Sequence, residues 1–330
     1  MWLGGGASMG ARIAAMPPLG AIPGGHPPTA EAVLRRVSVI VPNRNGGEAL
    51  LAALSSVAAS LTPNSELILV DDGSDDGSPD RVRAALPQVH VLAFDRPRGA
   101  AFARNQGLRA AGGERLLCVD ADVSCTPGCL PQLLTALDTA DVVFPTLISP
   151  AGEVQHPRTV FARRCCLNSA VFGIRRDALE RMDSWFDETI AVYGEDNDFF
   201  LRAERLGLTF RYVVGAQVIH PRPVLVGERH YYLTVRNAVY VWLKLRRLVA
   251  YWMPMDAWIL VFLAAQLAGA ACNRSLSDPS MRYTQSSRLR LIWLFGRALA
   301  WNVRHVRQTW AGRQAFRLFL SHENSCLQLA

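Results

Sequence analysis

The sequence predicts an α/β domain, doubly wound around a mostly parallel sheet and followed by a basic helical region. Between Val37 and Thr146, short β-branched and apolar runs alternate with segments of helical Ala, Leu and Val spacing. Four of the five runs are near-continuously apolar rather than alternating, the pattern of strands covered on both faces. Charge divides the chain as well: residues 1–221 carry 20 basic and 24 acidic side chains, residues 222–330 carry 15 basic and 4 acidic. A basic segment seeks phosphate, whether of nucleic acid or of an anionic membrane.

The elements come in order. Residues 1–36 are dominated by Gly, Pro and Ala without a sustained apolar run, so they read as a disordered leader rather than a secretory signal, with Met9 and Met16 as alternative starts. The first strand is VSVIVP from Val37, followed by the helical GGEALLAALSSVAAS. The second is ELILVDDGS, which opens onto the helix SPDRVRAAL with Ser78 as N-cap before Pro79. VHVLAFD and the helix GAAFARNQGLRAA come next, then RLLCVDAD with the helix CLPQLLTALD, and ADVVFPT as the fifth strand.

Ligands of such sheets bind at the carboxyl ends of the strands, where Asp71, Asp72, Asp120 and Asp122 all fall. If the strand runs on through Asp120-Ala121-Asp122, both carboxylates share a face, and a divalent cation such as magnesium, manganese or calcium relieves their repulsion. If it stops at Cys118 or Val119, the acids are turn residues. Asp71 and Asp72 can accept hydrogen bonds from a ligand's imide or hydroxyl groups. Arg104 and Asn105 either face the same crevice or, for the arginine, remain solvated. Glu195, Asp196 and Asp198 open a helix, either to complement its dipole or to take a proton. His220 closes an apolar strand as a core residue or as a ligand.

Seven cysteines without a C-x-x-C pair, Cys165 and Cys166 among them, read as a reduced, cytosolic chain without a disulfide framework or structural zinc. Lys244 is the only lysine beside 34 arginines, a preference assigned to composition rather than function.

The stretches VSVIVPNRN, LILVDDGSDDGS, RGAAFARNQGL, LLCVDADV, FGIRRDALERMDSWFDE, YGEDNDFFLRAERLGLTFRYV and AQVIHP, in this order between Val37 and Pro221, resemble a family 2 glycosyltransferase of the GT-A fold. The resemblance implies an inverting, metal-dependent transferase that uses a UDP-, GDP- or dTDP-linked sugar donor with Mn2+ or Mg2+. It assigns nucleotide-sugar contacts to Pro42, Asn45, Asp72, Arg104, Asn105 and Asp120, the metal to Asp122 and His220, general base to Asp196 and acceptor orientation to Glu195. The first loop departs from the family: PNRN stands where Thr and Tyr commonly precede Asn, which leaves the nucleobase contact there open. The implied acceptor is a saccharide or a lipid-linked saccharide of the cell envelope. A non-catalytic nucleotide-sugar-binding subunit is the alternative. A metal-dependent phosphotransfer domain would leave GEDNDF unexplained.

On this reading residues 37–230 form the GT-A domain and 231–330 the basic helical region. The apolar run from Ala257 to Cys272 is 16 residues long, short of the ~20 a spanning helix needs. Ile292, Phe295, Leu299, Val303, Val306 and Trp310 fall on one helical stripe, with Arg290, Arg297 and Arg304 on the other side. Two readings stand: a helix lying on an anionic membrane at its cytoplasmic face, peripherally or with one short embedded helix, or a helix packed on the catalytic domain. No nucleic-acid-binding motif accompanies the charge, so nucleic acid is not an expected partner.

Overall fold

The computed structural model describes residues 37–61, 64–155, 170–221, 225–246, 255–272, 282–283 and 286–327; the 1–36 leader and Cys165–Cys166 lie outside them. An eight-stranded mixed sheet forms the centre. In chain order its strands are β1 (Val37–Asn43), β2 (Ser65–Asp72), β3 (His90–Phe94), β4 (Arg115–Val119), β5 (Ser124–Cys125), β6 (Val142–Ile148), β7 (Val171–Arg175) and β8 (Phe210–Ile219), in the spatial order 3-2-1-4-7-6-8-5. The run β3-β2-β1-β4 is parallel throughout, β7 is antiparallel to both β4 and β6, and β6 pairs β8 in parallel. The mostly parallel sheet of the sequence reading is therefore present, with β5 and β7 running against it.

Both faces are covered, which explains the continuous apolar runs. Val39, Val41, Leu67, Leu69, Leu117 and Val119 enter one core with α1 (Gly47–Ala58), α2 (Ser78–Ala85) and α4 (Cys129–Ala136). Their sequence neighbours Ile40, Ile68, Val70, Leu116 and Cys118 enter the other, against α3 (Ala100–Ala110), α5 (Arg176–Glu180) and α6 (Glu195–Arg205). Alternate residues thus serve opposite layers, as the pleat requires. At Gly107 a β-carbon would lie 2.2 Å from Ile40 Cγ2, so the absence of a side chain lets α3 settle close on β1.

Pro145 sits inside β6 and cannot donate to the ladder; the pairing with β8 jumps there, from Pro145↔Val213 to Thr146↔Gln217. Beyond this bulge β8 pairs with the two-residue β5, Ser124 opposite Ile219. That ladder is short and absent from the sequence reading.

The helical region starts at Glu228. Helix α7 (Glu228–Leu245) packs its Tyr231 and Val235 with α8 (Met255–Cys272) and α9 (Arg288–Arg304), and its Tyr240, Val241 and Leu245 with α6 and α10 (Val306–Leu327). Among the described residues no helix is long and apolar enough to cross a membrane. The stripe expected from Ile292 to Trp310 is corrected in two ways. The helix breaks at His305, so Val306 and Trp310 belong to α10. The buried row of α9 is Leu291, Leu294, Ala298 and Asn302, which turns Ile292 and Val303 outward.

Lys244, attributed above to composition, has a structural position. Its buried ammonium lies 2.7 Å from Asp187 and 2.8 Å from Asp198, and Arg202 holds Asp198 at 2.9 Å and Asp183 at 3.0 Å. Burial pushes the Asp187 carboxyl up, yet Lys244 outweighs it and leaves Asp187 well below the usual carboxylate range. A depressed carboxylate stabilises the fold at neutral pH and loses that contribution as pH falls. Lys244→Met leaves the buried Asp187 without its cation, while Asp198 keeps Arg202, and should cost about 3–5 kcal/mol at neutral pH, with a smaller deficit near pH 5 where the unpaired acid can protonate. Chemical denaturation at the two pH values tests this; an unchanged midpoint at neutral pH refutes the bridging role.

Candidate active site

The site lies at the carboxyl ends of β1, β2 and β4. At the end of β1, Asn43 donates to Asp71 Oδ1 at 2.7 Å and to the hydroxyls of Ser78 at 3.2 Å and Ser74 at 3.3 Å. Asp71 also accepts from the Ser74 amide at 3.0 Å and its hydroxyl at 2.6 Å, so this acid closes the turn after β2. Ser78 does not cap α2. Gly77, with φ 73°, occupies the N-cap, and the Ser78 hydroxyl donates to Asp76. Asn45, at φ 55°, takes the Asp75 amide at 3.0 Å while its own amide donates to Ser74 Oγ at 2.8 Å. Pro42 fills the ladder position opposite Val70. The PNRN loop and the DDGS turn are thus latched together.

Asp72 is buried, and its two oxygens receive the Arg98 and Gly99 amides at 2.7 and 2.6 Å. It fixes the start of α3, whose turn begins at Gly99 with φ 111°. Asn105, expected at the donor, is committed to the fold: it donates to the Phe186 carbonyl at 2.9 Å and Glu188 at 3.0 Å, and accepts from the Phe186 amide at 3.0 Å.

Arg104, the residue before it, is the centre of the site. Its guanidinium donates at 2.7 Å to Asp120 Oδ1 and at 2.7 Å to Glu195 Oε1, and it is buried. Burial alone would lower its pKa; Asp120 and Glu195 together hold it above the ordinary value. β4 ends at Val119, so Asp120 and Asp122 stand in a turn and not on one strand face, which decides the alternative left open by the sequence. They separate by role. Asp120 turns inward to Arg104, while Asp122 is exposed, with one oxygen 3.9 Å from His220 Nε2. The β5–β8 ladder brings that pair together, since Asp122 precedes β5 and His220 comes directly after β8. The His220 backbone is fixed by its amide to Ile148 O at 2.9 Å and by Gln155 donating to its carbonyl at 2.6 Å, and its buried Nδ1 has no partner.

Opposite stands the first turn of α6. Tyr193 and Gly194 both take left-handed backbones, at φ 65° and 102°, a conformation uncommon for a tyrosine. Asn237 of α7 secures them, donating to the carbonyls of Val192 at 2.8 Å and Tyr193 at 2.7 Å. The turn buries Glu195 and leaves Asp196 half-exposed. Asp198 belongs to the Lys244 network and is structural. Asn43, Asn237, Lys244 and Asp187 were missed as site-supporting residues. Lys244 alone carried a visible signal, as the single lysine of an arginine-rich chain.

Glu195 Oε2 is buried without a partner. Burial raises the carboxyl to about 7; Arg104 opposes that and the adjacent Asp196 adds to it. One guanidinium serves two acids, so the second holds its proton longer.

The residues that could hold a cation are Asp122 and His220. Among the described residues no group of three or more His, Cys, Asp or Glu is gathered as a metal cluster. An oxygen and an imidazole nitrogen 3.9 Å apart suit magnesium or manganese, which take few protein ligands and complete their shells with phosphate and water.

Residues 38–187 match the family described as glycosyl transferase family 2. This segment is a family 2 glycosyl transferase domain. A dolichol-phosphate mannosyltransferase of Mycosarcoma maydis is 38% identical over 92 residues, 27% of this chain and 31% of that protein. An undecaprenyl-phosphate mannosyltransferase of Micrococcus luteus is 38% identical over 125 residues, 36% of this chain and 51% of that protein. The chain thus spans from about a third to about half of the length of these curated relatives. The crystal structure of S. aureus TarS 1-349 shares the fold, with a TM-score of 0.55 over 88% of this chain and 91% of that one at 18% identity.

The Glu195 carboxyl should titrate near pH 7 in a side-chain NMR experiment; a midpoint in the ordinary carboxylate range contradicts the buried geometry. Because the folded state keeps this proton to a higher pH than the unfolded chain does, Glu195 should make stability decline as pH rises from about 4.5 to 7. Glu195→Gln should flatten that decline.

Proposed function

We propose that this chain is an inverting glycosyltransferase that moves a sugar from a nucleoside-diphosphate donor to a hydroxyl of a lipid-linked saccharide or to a phosphate oxygen of a polyprenol phosphate. The carrying observation is Arg104, whose one buried guanidinium ties Asp120, just past the end of β4, to Glu195, the first residue of α6 and the neighbour of Asp196. Donor side and acceptor side are therefore held at a fixed spacing. TarS, of the same fold, was also crystallised with UDP, and the two mannosyltransferase relatives are named for polyprenol-phosphate acceptors. These relationships support the substrate classes.

Asp120 and the latched DDGS turn would line the nucleotide site. Asp122 and His220 would hold Mn2+ or Mg2+, which when bound neutralises charge on the departing diphosphate. Asp196 is half-exposed beside the buried Glu195, which suits it to accept the proton of the attacking hydroxyl. The hydroxyl oxygen forms its bond to the anomeric carbon on the face opposite the breaking bond to phosphate, and this inverts the configuration. Glu195, fixed by Arg104, orients the acceptor. Its raised carboxyl and unpartnered Oε2 favour a second reading in which Glu195 is itself the base.

Thermal-shift screening of UDP-, GDP- and dTDP-sugars with and without manganese identifies the donor, since a ligand of the folded state raises its stability. With that donor, Asp196→Asn should lower turnover on the order of 100- to 10,000-fold and leave donor affinity nearly unchanged. If Asp196→Asn turns over normally while Glu195→Gln removes the limb of the kcat/KM profile near pH 7, the base is Glu195. Asp122→Ala should abolish the manganese dependence of donor binding in calorimetry, and His220→Ala should weaken it less. Metal-independent donor binding by the parent chain overturns the cation assignment.

A further inference from the structure

From the faces that α8 and α9 leave uncovered, we propose a docking surface for an anionic lipid bilayer. Helix α8 turns Ile259, Phe262 and Ala270 inward. Its opposite side is Ala257, Leu260, Val261, Ala264, Leu267 and Ala271, with Leu260 68% and Val261 48% exposed, and no charged residue occurs from Ala257 to Cys272. A solvated helix of an ordinary domain carries polar groups on its outer face.

The neighbouring α9 completes the pattern. Leu289 and Val303 are 79% and 74% exposed, Ile292 and Trp293 about half as much, and all four lie on the side away from Leu291, Leu294 and Ala298. Arg290, Arg297 and Arg304 run along one edge of this face at intervals of seven residues. The guanidinium carbons of Arg290 and Arg297 lie 4.3 and 4.6 Å from the centre of the exposed Trp293 ring. Glu228 takes one bond from Arg290, at 3.1 Å, and α9 has no acid of its own.

The chemistry of this face selects its occupant. Apolar side chains beside a row of arginines, with an indole between them, match the boundary between acyl chains and anionic headgroups. A second copy of the same face would set arginine against arginine. A nucleic acid would leave the apolar area of α8 without a use. The helices would lie in the interface, since none among the described residues is long and apolar enough to span. This surface stands apart from the transfer reaction, so its test needs neither donor nor acceptor.

The full chain is floated with vesicles of phosphatidylcholine alone or mixed with phosphatidylglycerol. Binding should favour the mixed vesicles and weaken with salt. The triple variant Arg290→Gln, Arg297→Gln, Arg304→Gln should bind on the order of 100-fold more weakly at low salt. Leu289→Ser, Trp293→Ser, Val303→Ser should also lose binding, and both sets should keep the parent's melting temperature because the altered side chains are exposed. Failure of the parent chain to float with either vesicle overturns the proposal. So does binding that either variant set retains in full, or a parent dimer in light scattering that the Trp293 set abolishes.

Discussion

The structure turns on the burial of one guanidinium between two carboxylates from distant parts of the chain. Taking Arg104 out of water is costly, and only well-directed bonds to ionised or partly ionised acids compensate for it. Asp120 from the end of β4 and Glu195 from the start of α6 supply them. The constraint runs outward from there. Asp72 must fix the entry to α3, Gly107 must let α3 approach the sheet, and the left-handed pair Tyr193-Gly194 must turn Glu195 inward. Each of these features would be unexplained as an isolated detail. Together they are what keeps a charged group stable in a dry place.

The helical region is part of this arrangement and not an appendage. Asn237 secures the strained turn ahead of α6, and Lys244 neutralises Asp187 and Asp198 behind it. Arg313 of α10 in turn donates to the carbonyl of Arg246 at 2.7 Å, closing the end of α7. Support for the acids of α6 therefore passes through α7 to the last helix, and the sequence boundary drawn near residue 230 does not mark a mechanical one.

The strands and the helices between them were legible because burial on both faces leaves an unbroken apolar signature, and because turn residues bound every run. The acids were legible as chemistry but not as geometry. Nothing in D-A-D says that the chain turns after Val119, sending Asp120 to an arginine and Asp122 to a histidine. Asn105 and Arg104 are adjacent and equally polar, yet one staples the Phe186 backbone and the other bridges the site, a difference set by helix rotation that spacing alone leaves open. In the tail, the apolar period was legible but the side it buries was left open, since a helix with hydrophobic residues on more than half its circumference gives no unique inward direction.

The bulge opposite Pro145 has a bearing on how such a chain can change. Three residues, Val214 to Ala216, are accommodated between the two registers of β8, and the end of the strand beyond them is in step with β5. A strand shifted by a single residue presents every later side chain to the opposite face. Loss or gain of one residue between Val213 and Gln217 would carry the His220 imidazole away from Asp122, even though both side chains remained in the sequence. The pairing of His220 with Asp122 is therefore more sensitive to a change in the length of this segment than to a change in its side chains.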